Sequence, residues 1–144
     1  MLFEKNDVIL LNEIVYKIYS IEKPDEMRTV FLNLLKQLIP YNIATFYMAS
    51  NRPGHLLCRP IGVNILEEYL YLYLDEFESI DYTRWIFLSG KSMAYKETDL
   101  FSDAVRENAP YYKTFYQPGD VHFSAQLSIA YHDIFLGIVS LYRK

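Results

Sequence analysis

The sequence predicts an α+β domain built on one central antiparallel sheet of five to six strands. Two segments with helical hydrophobic periodicity come first. Two pairs of strand-like segments follow, and a third helical segment separates the pairs. The last segment, residues 134–142, is apolar at nearly every position, which is typical of a strand covered on both faces. We therefore expect the N-terminal helices on one face of the sheet and an aromatic-rich cover, residues 64–118, on the other.

The two N-terminal helices are predicted over residues 7–21 and 24–40. Asp7 is a candidate N-cap for the first helix, Pro24 suits the first turn of the second, and Pro40 ends it. In the second helix, Arg28 is predicted to face outward. The first helix has an apolar face wider than one contact with its own domain requires. The residues that form and widen this face are Val8, Leu10, Leu11, Ile14, Val15, Ile18, Tyr19 and Ile21.

Two hairpins are predicted, one before and one after the aromatic segment. Residues 42–49 and 55–63 flank the turn "NRPG", and Pro60, which lacks an N–H, predicts an edge position for the second of these strands. Residues 121–131 and 134–142 flank a tight turn at His132-Asp133. Gly137, in the middle of the last strand, predicts a close approach to its backbone.

The segment between the hairpins is predicted to be a helix followed by an irregular aromatic stretch. Residues 64–80 form a third helix, in which Asn64 and Glu67 have the spacing of a capping box. A short strand is expected around residues 93–95, short helices are expected to open at residues 98 and 110, and "QPGD" at 117–120 is a turn. The acidic residues near the end of the third helix are predicted to be solvated; they are Asp75, Glu76, Glu78 and Asp81.

Length and composition indicate a single domain over residues 1–144. The net charge of −4 and the scattered Lys and Arg residues argue against nucleic-acid binding by this chain. Cys58 is the only cysteine, which excludes an internal disulfide and favours a reducing, cytoplasmic location. We see neither a signal peptide nor an apolar run long enough to cross a bilayer, so no membrane partner is expected.

The closing stretch "FLGIVSLYR" resembles the small-residue last strand of GAF domains, which are related to PAS domains. The stretches "DYTRWIF", "YKETDLF" and "YYKTFYQPGDVHFSAQLSIAY" resemble the sensor half of bacterial regulators that carry a LuxR-type helix-turn-helix after a GAF-like domain. The resemblance implies a sensory domain that binds an unknown small molecule and forms a homodimer. In that family the DNA-binding helices follow the last strand. No helix-turn-helix pattern is present here, so DNA binding is implied only for a parent protein.

Patterns for catalysis, metal binding or a cofactor are missing. His55, His122 and His132 lack the spacing of a metal-ligand set. Bilin attachment at Cys58 would need a pocket motif, and sulfoxide reduction would need further thiols. The sequence has no nucleophile elbow, no Gly-rich phosphate loop and no cyclic-nucleotide signature of GAF domains. We therefore expect no enzyme, no metal and no cofactor, and a thiol-dependent reductase is the less favoured alternative.

The aromatic cover is the candidate ligand site, because small-molecule pockets are mostly apolar with a few polar groups, and tyrosine and tryptophan supply both. An alternative is a pure interaction domain whose rings fill their own cover, so that only dimerisation through the first helix is functional. Within the cover and beside it, six residues are predicted to bind the ligand: Tyr82, Arg84, Trp85, Tyr95, Tyr116 and His122.

Overall fold

The computed structural model describes residues 4–144, and the chain divides into two compact units between Tyr41 and Asn42. The first unit holds two helices, α1 (Lys5–Ser20) and α2 (Pro24–Leu38), which contact each other. Pro24 is the first residue of α2, as predicted. The prediction that Asp7 is the N-cap of α1 was wrong. Glu4 is the N-cap, and Asp7 Oδ2 accepts a hydrogen bond from the Glu4 backbone N–H at 3.1 Å.

Arg28 was predicted to face outward from α2, but its side chain is buried. Its Nη2 donates to Asp25 Oδ1 at 2.8 Å, one turn earlier in the helix. The prediction failed because an arginine that has a carboxylate partner can be buried, whereas hydrophobic periodicity assigns every charged residue to water.

The surface of α1 is largely apolar in the structure. Ile14 is buried, whereas six large hydrophobic residues of the helix are exposed. They include Tyr19, with 87% of its surface accessible, and Tyr16, with 73%. The complete exposed set, called the α1 apolar surface below, is Val8, Ile9, Leu11, Val15, Tyr16 and Tyr19.

The second unit is built on one five-stranded antiparallel sheet, as predicted. Its strands are β1 (Ile43–Ala49), β2 (Leu57–Val63), β3 (Met93–Lys96), β4 (Phe123–Tyr131) and β5 (Ile134–Arg143), in the spatial order β2-β1-β5-β4-β3. The edge position predicted from Pro60 is confirmed, because β2 is an outer strand. The predicted tight turn joins β4 to β5. Its His132 and Asp133 have φ angles of 49° and 62°, which match the twist of a two-residue hairpin.

The centre of β5 is buried on both faces, as its continuous apolar sequence predicts. Every residue from Gly137 to Tyr142 is buried, and consecutive residues of a strand point to opposite faces. The close approach predicted at Gly137 is also present. A Cβ atom at this position would lie 2.8 Å from the backbone oxygen of Tyr47 on β1, so the space for a side chain is taken by the neighbouring strand.

Short helical segments connect the strands. They are α3 (Glu67–Leu72), the π-helical turn π1 (Tyr73–Phe77) with a 3₁₀ turn (Glu78–Ile80), α4 (Arg84–Phe87), α5 (Glu97–Leu100), α6 (Asp103–Asn108), and the π-helical turn π2 (Tyr112–Tyr116) with a 3₁₀ turn (Gln117–Gly119).

The capping box predicted at the start of the third helix was wrong, because α3 begins only at Glu67. Asn64 has a φ of 59°, and its Nδ2 donates to the carbonyl of Asn42 at 2.8 Å. Asn64 is therefore a loop residue that ties the approach to α3 to the start of β1. Over residues 4–144, every helix is too short or too polar to cross a bilayer.

Candidate ligand cavity and its buried carboxylates

A cavity of about 390 Å³ lies within the second unit, between the sheet and the aromatic cover. Its floor is formed by side chains of β1 and β5, which include Ile43, Thr45, Tyr47 and Tyr142. The strand register explains why they share one face: Ile43 is paired with Tyr142, and Thr45 and Tyr47 follow at two-residue steps on the same side of β1. The sheet therefore supplies a floor of fixed geometry.

The two π-helical turns supply the walls of the cavity. Tyr73 and Phe77 belong to π1, and Phe115 and Tyr116 belong to π2. The walls contact each other through Phe115, whose ring centroid lies 4.9 Å from that of Phe77 and 5.7 Å from that of Tyr73. Single π-helical turns are rare and occur frequently at functional sites. Their presence on both walls makes this cavity the candidate functional site.

Three tyrosines line the cavity, and their hydroxyl groups donate hydrogen bonds to acceptors of the protein itself. Their rings are therefore the parts that face the cavity. Tyr47 donates to the carbonyl of Leu70 at 2.9 Å, and Tyr73 donates to Asp81 Oδ2 at 2.6 Å. Tyr116 donates to Glu97 Oε1, and its hydroxyl also lies 3.1 Å from Ser124 Oγ. Burial raises the pKa of all three hydroxyls, so they remain protonated donors at neutral pH.

Asp81 is buried behind the π1 wall, so its predicted place in a solvated acidic cluster was wrong. Its carboxylate accepts hydrogen bonds from Tyr73, from the Thr83 backbone N–H at 2.8 Å and from Thr83 Oγ1 at 2.7 Å. Burial raises the pKa of Asp81 to about 6, although these hydrogen bonds act in the opposite direction. The group can therefore change its charge close to neutral pH.

Glu78 was also predicted to be solvated, and it is also buried. Its Oε1 accepts from the backbone N–H of Leu56 at 2.7 Å, and its Oε2 accepts from that of Leu57 at 3.3 Å. The sequence around Glu78 carries no sign of these donors, because they come from the start of β2, more than twenty residues earlier. This carboxylate joins the 3₁₀ turn after π1 to the sheet.

Glu97 lies behind the π2 wall and is fully buried. It accepts hydrogen bonds from Tyr116, from Tyr82 at 2.6 Å and from Gln126 Nε2 at 3.4 Å. Arg106, which is equally buried, is its cationic partner, with Nη1 at 3.7 Å from Glu97 Oε2. Each wall of the cavity is thus tied through one tyrosine to one buried carboxylate. Sequence analysis missed this network, because its members come from five separate segments.

The structure divides the six predicted ligand residues into separate groups. Tyr116 lines the cavity, and the other five do not. Tyr82 joins Tyr116 on Glu97, and its ring stacks on Phe101 at 5.1 Å. The Tyr95 hydroxyl lies against Thr83, beside Asp81. The role of these tyrosines in binding a ligand stays a prediction.

The remaining three candidates lie away from the cavity. Trp85 is half exposed, and Arg84, its neighbour on α4, is partly buried. His122 pairs its Nδ1 with the Tyr112 hydroxyl at 2.7 Å, and its Nε2 lies 3.4 Å from Asp120 Oδ1. The sequence analysis grouped these side chains because they belong to the aromatic segment or follow the turn at residues 117–120, but the structure places them apart from the cavity lining. Their ligand role also stays a prediction.

A metal-ligand cluster is not found in the part of the chain that the structure describes. Between residues 4 and 144, His, Cys, Asp and Glu side chains nowhere form a group of three or more that could hold a metal ion. The Cys58 thiol lies on β2 and donates to the carbonyl of Ala49 at 3.4 Å.

Comparison with known proteins supports the fold assignment. No protein-family model matches the chain, and the curated proteins contain no significant match. Solved structures of similar fold include the following three. The VqsR LBD domain from Pseudomonas aeruginosa has a TM-score of 0.67 and 14% identity, over 97% of this chain and 81% of that one. CepR2 from Burkholderia cenocepacia, an N-acylhomoserine lactone dependent LuxR family transcription factor, has a TM-score of 0.63 and 13% identity, over 95% and 78%.

The third similar structure is the GAF domain of a phosphoenolpyruvate-protein phosphotransferase from Coxiella burnetii. Its TM-score is 0.64 at 14% identity, over 96% of this chain and 77% of that one. The chain therefore has a GAF-like fold, of the kind that is also found in the ligand-binding domains of LuxR-type regulators. This agrees with the resemblance that the sequence motifs predict.

Proposed function

We propose that the chain is a non-enzymatic, cytoplasmic sensing and dimerisation module of a transcriptional regulator, and that the cavity holds its small-molecule signal. The observation that carries this proposal is the cavity itself, which lies between the sheet and the aromatic cover and has a π-helical turn on each side. The similarity to ligand-binding domains of LuxR-type regulators supports it. DNA would be bound by a helix-turn-helix domain of a longer parent protein.

A ligand in this cavity would act on the two walls. It changes the equilibrium between two wall arrangements only as far as it binds one of them more tightly than the other. Tyr73 connects the π1 wall to Asp81, and Tyr116 connects the π2 wall to Glu97. A movement of either ring therefore changes the hydrogen bonding of a buried carboxylate, which carries the effect of the ligand beyond the cavity.

Ligand binding is tested by native mass spectrometry of the protein purified without denaturation. We expect a retained small molecule, and we expect Thr114→Trp to lose it, because Thr114 lines the cavity and a tryptophan there occupies part of the space. The matched control is Lys113→Trp, which places the same side chain at the adjacent, exposed position outside the cavity lining and should retain the molecule. Trp85 fluorescence is a poor reporter, since that ring lies outside the lining.

A result in which the wild-type chain carries no molecule and binds none from cell extracts would contradict the sensing role. A stable dimer with no bound molecule would instead favour the alternative, an interaction domain whose rings only fill its own core. The observation on the side of that alternative is the dense ring packing of the cover. Tyr111 stacks on Phe115 at 5.3 Å, and Tyr111 meets Tyr116 at 5.2 Å.

The proposed homodimer forms through the α1 apolar surface. Val8, Val15 and Tyr19 lie on one side of this helix, at spacings of seven and four residues, and all three are exposed. A two-fold axis beside the helix would bring this surface against the same surface of a second copy and bury both. Contiguous apolar surface of this kind marks association sites on proteins.

Val15→Glu is expected to weaken the dimer at least tenfold, measured by analytical ultracentrifugation over a range of concentrations. The substitution places two carboxylates, one from each copy, in a contact that excludes water. The control is Val105→Glu, because Val105 is an equally exposed valine that lies on α6. Equal dissociation constants for the two variants would show that α1 is not the contact.

A further inference from the structure

We propose that the cavity takes an uncharged, mostly apolar small molecule with a single hydrogen-bonding group, and that this group is bound by Thr45 and Tyr142 on the floor. The inference rests on the proposed sensing function and adds the chemical class of the ligand. It follows from three properties of the lining: the absence of charge, the commitment of most hydroxyl groups, and one buried polar spot that is poorly bonded.

The lining contains no Lys, Arg, His, Asp or Glu side chain. The nearest buried carboxylates, those of Asp81 and Glu97, accept hydrogen bonds from the outer ends of the wall tyrosines, so they are already satisfied and lie behind the rings. An ion moved from water into such a site loses its hydration and gains no opposite charge, which strongly disfavours its binding. Phosphates, carboxylates and ammonium compounds are therefore excluded as ligands.

Most polar groups around the cavity are also unavailable to a ligand. The hydroxyls of Tyr47, Tyr73 and Tyr116 donate to Leu70, Asp81 and Glu97 respectively. Thr114, at the rim, donates to the carbonyl of Pro110 at 2.6 Å. The walls thus offer the faces and edges of rings, which favour an apolar and preferably aromatic ligand body.

The floor holds the buried exception. Thr45 is 3% exposed, and its Oγ1 makes no hydrogen bond of ordinary length and angle among the described residues, although the Tyr142 hydroxyl lies close enough to interact with it. A buried hydroxyl that is poorly bonded is unfavourable, so a ligand group that bonds to it removes an existing penalty. The volume of about 390 Å³ is near the lower end for ligand pockets, which limits the ligand to a small molecule.

The test compares four probes of the same shape with the full chain by isothermal titration calorimetry at neutral pH. They are 4-phenylphenol, which is neutral with one hydroxyl, biphenyl, which has no polar group, the anion biphenyl-4-carboxylate and the cation 4-(aminomethyl)biphenyl. We expect 4-phenylphenol to bind most tightly, biphenyl about threefold to tenfold more weakly, and both ions at least tenfold more weakly. Thr45→Val should reduce the affinity for 4-phenylphenol to that for biphenyl and leave biphenyl unaffected.

Two controls separate binding from structural effects. Thr98→Val removes a hydroxyl from an exposed site and should leave all four affinities unchanged. Thr45→Val should change the melting temperature little, because the hydroxyl that it removes makes no hydrogen bond of ordinary length and angle. Equal or tighter binding of either ion, or no binding by any of the four probes, would overturn the proposed ligand class. The sensing function is judged separately, by the molecule retained in native mass spectrometry, so the two proposals can fail independently.

Discussion

Arg106→Met is expected to lower the free energy of unfolding by about 3–5 kcal/mol, because it leaves the carboxylate of Glu97 buried without a cation. Both side chains are almost completely buried, at 1% and 0% exposure, and the guanidinium also donates to the backbone oxygen of His122 at 2.8 Å. Water cannot replace Arg106 at such a site. The loss is measured by urea denaturation followed by circular dichroism.

The double variant Arg106→Met with Glu97→Gln should recover part of the loss, since no unpaired charge remains in the interior. A surface control is Lys96→Met. The Lys96–Asp99 pair is exposed at 3.9 Å, and its removal should change stability by no more than about 1 kcal/mol. If Arg106→Met costs no more than Lys96→Met, the ion pair does not stabilise the fold in the way described.

Asp81 is expected to make the protein less stable as the pH rises from 4 to 7. Burial raises the pKa of this carboxyl from 3.8 to about 6, so the folded protein binds the proton more tightly than the unfolded chain does. The stabilisation from the protonated group is complete below 3.8 and is lost as the pH rises through 6. A difference of about two pKa units corresponds to roughly 3 kcal/mol.

The measurement is the free energy of unfolding of wild type and Asp81→Asn at several pH values between 4 and 7. The wild type should lose roughly 2 kcal/mol more than the variant across this range, because the amide cannot ionise and part of the full effect lies below pH 4. Asp75→Asn changes an exposed carboxylate of π1 and should follow the wild-type curve. Parallel curves for wild type and Asp81→Asn would show that Asp81 does not titrate in this range.

The sheet could be predicted from the sequence because its signals are local. The continuous apolar run of β5, the proline of β2 and the glycine at 137 each act on their own strand or on the one beside it. The two hairpins, the edge position of β2 and the turn at His132-Asp133 all follow from such signals.

The burial of Glu78 and Glu97 could not be predicted, because their partners come from distant segments. Glu78 is satisfied by backbone donors of β2, and Glu97 by side chains of π2, α6 and β4. Along the chain, each of these acids has only the appearance of a solvated helix end or turn. What decides their burial is the supply of donors in three dimensions, and local hydrophobicity does not encode it.

The sequence predicted the position of the cavity but only some of the residues that line it. Four of its wall rings, Tyr73, Phe77, Phe115 and Tyr116, belong to the aromatic segment that was predicted as the cover. Its floor was missed, although Ile43, Thr45 and Tyr47 alternate along β1 in a way that places them on one face. The two π-helical turns, which shift the direction of each wall helix by an extra residue, have no recognised sequence signal.

The outer strands of the sheet also affect whether strands of other molecules can add to it and form fibrils. On one side β2 carries Pro60 and a register irregularity between Phe46 and Met48 of its partner, and on the other side β3 is only four residues long. A strand from another chain needs a long, regular row of free N–H and C=O groups to add to, and neither border provides one. Amyloid-like stacking is thereby disfavoured, even in a protein that is half hydrophobic.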